Sequence, residues 1–332
     1  MTERPWAPGA ATGVGSLPGT DPRDAAALVL GELPGLPHLV ELPARGPGAG
    51  MIGRAAALLV ELPVEIVPTG WRLAAHPGRD LSAARDLLAR DLDALEEAAD
   101  GWQGPLKLQV TGPWTLAAAL ELPNGNRAVG DHGAVRDLTA SLAEGVRGHL
   151  ADVVGRVPGA RPVLQLDEPG LPAVLAGRVP TPSGYGTVRS VAAPVAEQAL
   201  RDVLAVAPPG ARVVHCCAPD VPFALFAAAG ADAVAVDADL LRTSHYDLLG
   251  DLVDAGVSLW LGVVASTGER GFEDARAAVR SLWRDLGFAP RELAASVVPT
   301  PACGLAGVTA AAARRALRTV RDVGRSLLDD QG

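Results

Sequence analysis

Lysine is almost missing from this chain: Lys107 is the only one among 29 basic residues, set against 38 acidic residues and a formal net charge of -9. An acidic chain without basic clusters leaves no electrostatic footprint for nucleic acid or an anionic membrane, so small diffusing partners are expected. Cysteine is nearly as scarce. Three in 332 residues, two of them adjacent, are too few for a disulfide framework and suit thiols or metal ligands in a reducing cytoplasm. No uninterrupted apolar run reaches the length of a membrane span. The opening residues MTERPWAPGAATG lack a basic segment followed by an apolar one, so no secretory signal is expected. What remains, with 48% hydrophobic residues, is a soluble globular protein with a sizeable core.

Short apolar or β-branched runs alternate with longer Ala/Leu/Arg segments of helical period, the pattern of repeated strand-helix units around a parallel sheet. The predicted strands are 11–18, 37–43, 106–113, 162–169, 212–219, 233–239, 259–266 and 295–304. Residues 44–75 read as either a long β-hairpin or a helical excursion, and 172–189 as a long Pro- and Gly-rich loop; neither resembles an interdomain linker. Eight units predict an α/β protein, a single (β/α)8 TIM barrel domain over residues 1–332, with a doubly wound open sheet as the alternative. Barrel active sites form at the C-terminal ends of the strands. Nearly every predicted strand ends there in a chemically loaded group: Ser16, Glu41, Thr111, Asp167 with Glu168, His215 with Cys217, Asp237 and Cys303.

The stretch VVHCCAP, 213–219, closes an apolar strand with soft ligands. Strand alternation points His215 and Cys217 to one face and Cys216 to the other. That pair has a spacing able to hold a metal, although buried cysteines also serve as small hydrophobes. Closure of the barrel brings the end of the eighth strand, with Cys303, to face the end of the fifth, and the intervening sixth strand adds Asp237. Two thiolates, an imidazole and a carboxylate suit Zn2+, which takes N, S and O ligands in a tetrahedron.

The motifs GVGSLPGT (13–20), QVTGP (109–113), QLDEPGL (165–171), HCC (215–217), GADAVAVD (230–237) and PACGL (301–305) occur in the order found in the cobalamin-independent methionine synthases. The chain resembles their C-terminal catalytic barrel over almost its whole length, and is similar to a short branch without the family's separate N-terminal barrel. The resemblance implies zinc held by His215, Cys217, Asp237 and Cys303. It also implies Ser16 and Asp167 at the polar end of the substrate, and methyl transfer to the thiol of homocysteine or a related thiol. N-capping by Ser16 and an ion pair for Asp167 are the plainer readings of those two residues.

Three departures from the resemblance bear on the substrates. Asp237 stands where the family usually carries the longer Glu; Gly53 stands where a Glu meets the substrate ammonium; and Thr267 aligns near the acid histidine. They favour a methyl-corrinoid donor, free or on a protein, over methyltetrahydrofolate, and His245 is a substitute acid or a capping residue. Arg45 and Glu41 line the mouth or form a salt bridge; Trp71 and Trp114 border substrate or fill core. A catalytically retired zinc- or small-ligand-binding barrel is the alternative function. Uroporphyrinogen decarboxylase shares the barrel but needs no metal, so the cysteine-containing motifs argue against it.

Overall fold

The computed structural model describes residues 4–266 and 270–331. The strands are β1 (Val64–Val67), β2 (Gly70–Leu73), β3 (Gly104–Thr111), β4 (Ala160–Asp167), β5 (Arg212–Cys216), β6 (Ala233–Asp237), β7 (Ser258–Val264) and β8 (Val297–Pro301). Strands β3 to β8 form one parallel sheet in sequence order, with helices between them. Each of the last six predicted strands overlaps one of these.

The first two predicted strands are extended segments that carry only single bridges, yet they close the ring. The amide of Leu39 donates to Lys107 O (2.9 Å) and that of Lys107 to Pro37 O (2.8 Å), joining the second segment to β3. Leu17 N donates to Glu41 O (2.9 Å) and Glu41 N to Gly15 O (3.2 Å), joining the two segments to each other. Thr12 N then reaches Pro299 O on β8 (3.3 Å). The result is the predicted eight-membered α/β barrel rather than an open sheet.

Alternation along the strands divides the core in two. Val163, Val213, Ala233, Ala235, Trp260 and Val298 point inward and pack with Trp6, Ala10 and Leu36. Trp6 meets Trp260 edge to face, with ring centroids 5.2 Å apart. The opposite faces, including Leu108, Leu166, Val214, Cys216, Val236 and Leu261, pack against the surrounding helices. Small residues on β6, Ala233 and Ala235, leave room for the ring of Trp260 on β7.

Both readings of 44–75 hold in part. Two short 3-10 turns and the helix Met51–Leu58 come first, followed by the β1–β2 hairpin. Within 172–189 the chain completes the short helix Leu171–Leu175 and then runs as a loop, closed by a bridge between Pro180 and Thr187. Trp71 and Trp114 are both buried, the latter donating Nε1–H to Ala196 O (2.9 Å). These tryptophans are core, not substrate borders. Among the described residues no helix is long and apolar enough to cross a membrane.

Candidate functional site

The HCC motif divides as alternation predicts. Cys216 is fully buried in the outer core, where burial pushes its thiol up to about 12. It is an inert packing residue. His215, one residue before the end of β5, faces inward, and Cys217 lies just past the strand at the C-terminal mouth. There Cys217 Sγ lies 3.2 Å from Cys303 Sγ, just past β8, although the residues are 86 positions apart. The contact between the two thiols favours a thiolate on Cys303 and disfavours one on Cys217.

Partial burial raises the Asp237 carboxyl above the usual carboxylate range. The Nδ1 of His215 is 2.9 Å from Asp167 Oδ1, and its Nε2 is buried without a hydrogen-bond partner among the described residues. Asp237 ends β6 and accepts from the amide of Asp239 (3.0 Å), capping the following turn. Asp239 is paired with Arg270 through both carboxylate oxygens (2.9 Å each), which leaves Asp237 as the less committed of the two acids. The donor chemistry suits zinc: two sulfurs already in contact, a buried nitrogen with no partner, and a carboxylate nearby. Among the described residues, no three His, Cys, Asp or Glu side chains stand as a formed metal cluster.

Ser16 lies at the same mouth. A Cβ on Gly304 would strike its Oγ, and Leu305 N donates to Ser16 O (2.9 Å), so the residues flanking Cys303 pack directly on Ser16. Asp167 sits across the barrel with Oδ1 taken by Gln165 Nε2 (2.7 Å) and by His215.

Glu168, next in sequence, points the other way. It accepts from Trp114 N (2.9 Å), Thr115 N (2.8 Å) and Thr115 Oγ1 (2.7 Å), and so clamps the first turn of the helix Pro113–Ala119. The DEP pair therefore divides its labour, one acid to the mouth and one to the scaffold. Complete burial pushes the Glu168 carboxyl up to about 7, overcoming the hydrogen bonds that favour its anion. Between pH 4.5 and 7 the folded chain then holds a proton that the unfolded chain has lost, so stability falls as pH rises through this window. Urea unfolding across that range is expected to show the fall in the native protein and a flatter profile in Glu168→Gln. Equal slopes would mean that Glu168 is ionised throughout.

Of the other rim residues, Arg45 and Glu41 belong to a buried ion cluster. Asp91, on the helix Arg79–Ala98, accepts from Arg45 (2.8 Å) and from Arg54, whose Nε is 3.8 Å from Glu41. Gly53 cannot carry a substrate-binding side chain in this conformation, since a Cβ there would strike the Pro47 carbonyl. His245 accepts from Arg242 N (3.2 Å) and packs on Phe223, which is the capping role. Thr267 lies outside the described residues.

Sequence reasoning missed the polar layer beneath the mouth. Lys107 is fully buried inside the barrel, its Nζ 2.7 Å from both Val14 O and Gln165 Oε1. Burial drives its ammonium down to about 7, with Asp167 and Glu41 pulling it back up. The available signal was strand parity: Lys107, Gln109 and Thr111 share a face of β3, as do Gln165 and Asp167 on β4.

An eight-membered α/β barrel with thiols, an imidazole and carboxylates at its C-terminal mouth is of the kind that performs chemistry on small molecules there. Residues 9–326 match the family described as Cobalamin-independent synthase, Catalytic domain, and the chain belongs to that family. It is thus a methionine-synthase-like catalytic domain of the methyltransferase class. Among solved structures it is similar to a B12-independent methionine synthase from Shewanella sp. W3-18-1 in complex with selenomethionine. The identity is 13% and the TM-score 0.62, over 97% of this chain and 98% of that one. A weaker likeness is to GH5_18 from Bifidobacterium longum subsp. infantis, at 11% identity and TM-score 0.44, over 96% of this chain and 79% of that one. No curated protein matches the chain.

Proposed function

We propose that this chain is a zinc-dependent thiol methyltransferase acting as a single barrel domain in the cytoplasm. The observation that carries the reading is the contact between Cys217 and Cys303 beside a buried, unpartnered His215 Nε2. His215, Cys217, Cys303 and Asp237 would hold the metal, with Asp237, one methylene shorter than Glu, completing the set. Zinc bound there supplies Lewis acidity that lowers the pKa of an acceptor thiol and makes its thiolate available at neutral pH. Ser16 and Asp167 would orient the acceptor's polar end, Ser16 through Oγ and Asp167 through Oδ2. Homocysteine or a related small thiol is the acceptor. The sulfur takes the methyl carbon, its proton passes to solvent, and the donor departs with the bonding electron pair.

The lack of a side chain at Gly53 removes one means of holding a substrate ammonium. It supports an acceptor other than homocysteine as readily as homocysteine itself, while Thr267 near the position of the family's acid histidine supports a methyl-corrinoid donor in place of a folate. The lack at Gly53 is also the observation behind a second reading, a barrel that binds zinc or a small ligand without turnover.

Protein purified without added zinc is expected to carry about one zinc per chain. It should also form a thioether from a small thiol when given methylcobalamin. Bound zinc without product, across a panel of thiols with methylcobalamin and methyltetrahydrofolate, selects the binding reading. A folded protein that takes up no zinc when reduced and supplemented overturns both.

A further inference from the structure

The only lysine in the chain is also among its most deeply buried side chains, and it sits below the mouth rather than in it. Its contacts begin a chain of hydrogen bonds that ends at His215. Lys107 Nζ donates to Val14 O and to Gln165 Oε1, both at 2.7 Å. Gln165 Nε2 donates to Val14 O (3.0 Å) and to Asp167 Oδ1 (2.7 Å). Asp167 Oδ1 in turn meets His215 Nδ1 at 2.9 Å.

Each link has only one polarity. The Val14 carbonyl and the Asp167 carboxylate only accept, so the nitrogen of the Gln165 amide must face them and its oxygen must face Lys107. Both hydrogens of that nitrogen are then spent on the Val14 carbonyl and on Asp167. An ionised carboxylate only accepts, so the proton in the Asp167–His215 bond belongs to Nδ1. In a neutral imidazole this leaves Nε2 with a free lone pair, and Nε2 is the buried ring atom that has no partner among the described residues.

We propose that Lys107 is a positioning residue which, through Gln165 and Asp167, fixes His215 in the tautomer with its proton on Nδ1 and its Nε2 lone pair free. A compact three-donor point charge suits this place, where two oxygens converge on one nitrogen; the planar five-donor fork of arginine would bring more N–H groups than these two acceptors satisfy. The 28 remaining basic residues are all arginine, so the exception falls where the geometry differs. Asp167 thereby acquires a second role, holding the imidazole through Oδ1 while Oδ2 remains for substrate. The use of the Nε2 lone pair rests on the zinc reading above. The relay itself does not.

Histidine ring nitrogens can be read directly by long-range 1H–15N correlation on 15N-histidine-labelled protein, both as purified and after metal removal, with His215→Gln identifying the signal. The native protein is expected to show His215 as a single Nδ1–H form even without metal. In Lys107→Met the ring is expected to populate both tautomers, and in zinc titrations affinity should fall by about tenfold, the lower end of the range for partners behind metal-bound histidines. Gln165→Met should give the same spectrum without removing a charge, which separates the relay from a general loss of electrostatics. It also decides the matter should Lys107→Met fail to fold. A native His215 protonated mainly on Nε2, or a native-like ring in Gln165→Met, overturns the proposal. A native Nδ1–H form in protein that binds no zinc supports the relay and removes only the metal reading.

Discussion

Cys303→Ala is expected to abolish zinc retention while leaving the barrel folded. Cys303 lies just beyond β8 and is partly exposed, so truncating its side chain removes little packing, within the usual range of about 1 kcal/mol for an ordinary substitution. Its chemical loss is far larger. The thiolate favoured at Cys303 disappears, and Cys217 is left as a lone thiol. Partners that merely orient a ligand cost about 10- to 100-fold in metal affinity, and a direct ligand should exceed the upper figure. Elemental analysis and competition with a chromogenic chelator measure this. Cys216→Ala is the internal comparison: that thiol sits in the outer core, so it should keep its zinc and lose stability instead. Zinc at native stoichiometry in Cys303→Ala would remove this residue from the ligand set.

Asp91→Ala is expected to be among the most destabilising single changes away from the mouth. Its carboxylate is the shared partner of Arg45 and Arg54, and the side chains of all three are nearly inaccessible. Removing the acid leaves two buried guanidinium groups competing for Glu41, which only Arg54 approaches, at 3.8 Å. Breaking a buried pair in this way costs about 3–5 kcal/mol, because an uncompensated charge remains. Urea unfolding gives the figure, and a loss under about 1 kcal/mol would show that the two arginines find other acceptors. The consequence extends to the site. Arg54 and Arg45 hold the excursion between 43 and 58 against the helix Arg79–Ala98, and Glu41 is bridged to Ser16. Activity in Asp91→Ala should therefore fall even where the protein remains folded.

The barrel was legible because eight apolar runs recur at strand-helix spacing, and that pattern survives even where the ladders are thin. Segments 11–18 and 37–43 were readable as strands by pattern, yet their pairing reduces to single bridges, a detail set by how the ends of the ring meet. Residues 44–75 were ambiguous because helix-period and strand-period stretches follow one another there with prolines between them, and the chain uses both. At the site, parity placed His215 and Cys217 on one face and barrel closure set Cys303 opposite them, 86 positions along the chain, where the two sulfurs meet; the polar layer below them was not legible. Glu168 was grouped with Asp167 although alternation sends it to the opposite face, where it clamps a helix start. Lys107 was read only as missing surface charge. Its burial depends on oxygens donated by Val14 and Gln165, which only the closed barrel assembles.

The solitary lysine has one more use. A protease that cuts only after lysine has one target bond in this chain, between Lys107 and Leu108, in the middle of β3 and hydrogen-bonded on both sides. Cleavage there requires β3 to leave its neighbours, so the rate of digestion reports the population of chains whose ring has come apart, whenever opening and closing are fast relative to cutting. This barrel carries a single built-in scission point for such a protease. Gel electrophoresis and an unmodified protein therefore suffice to follow the free energy of barrel opening, with zinc or candidate substrates added as stabilisers.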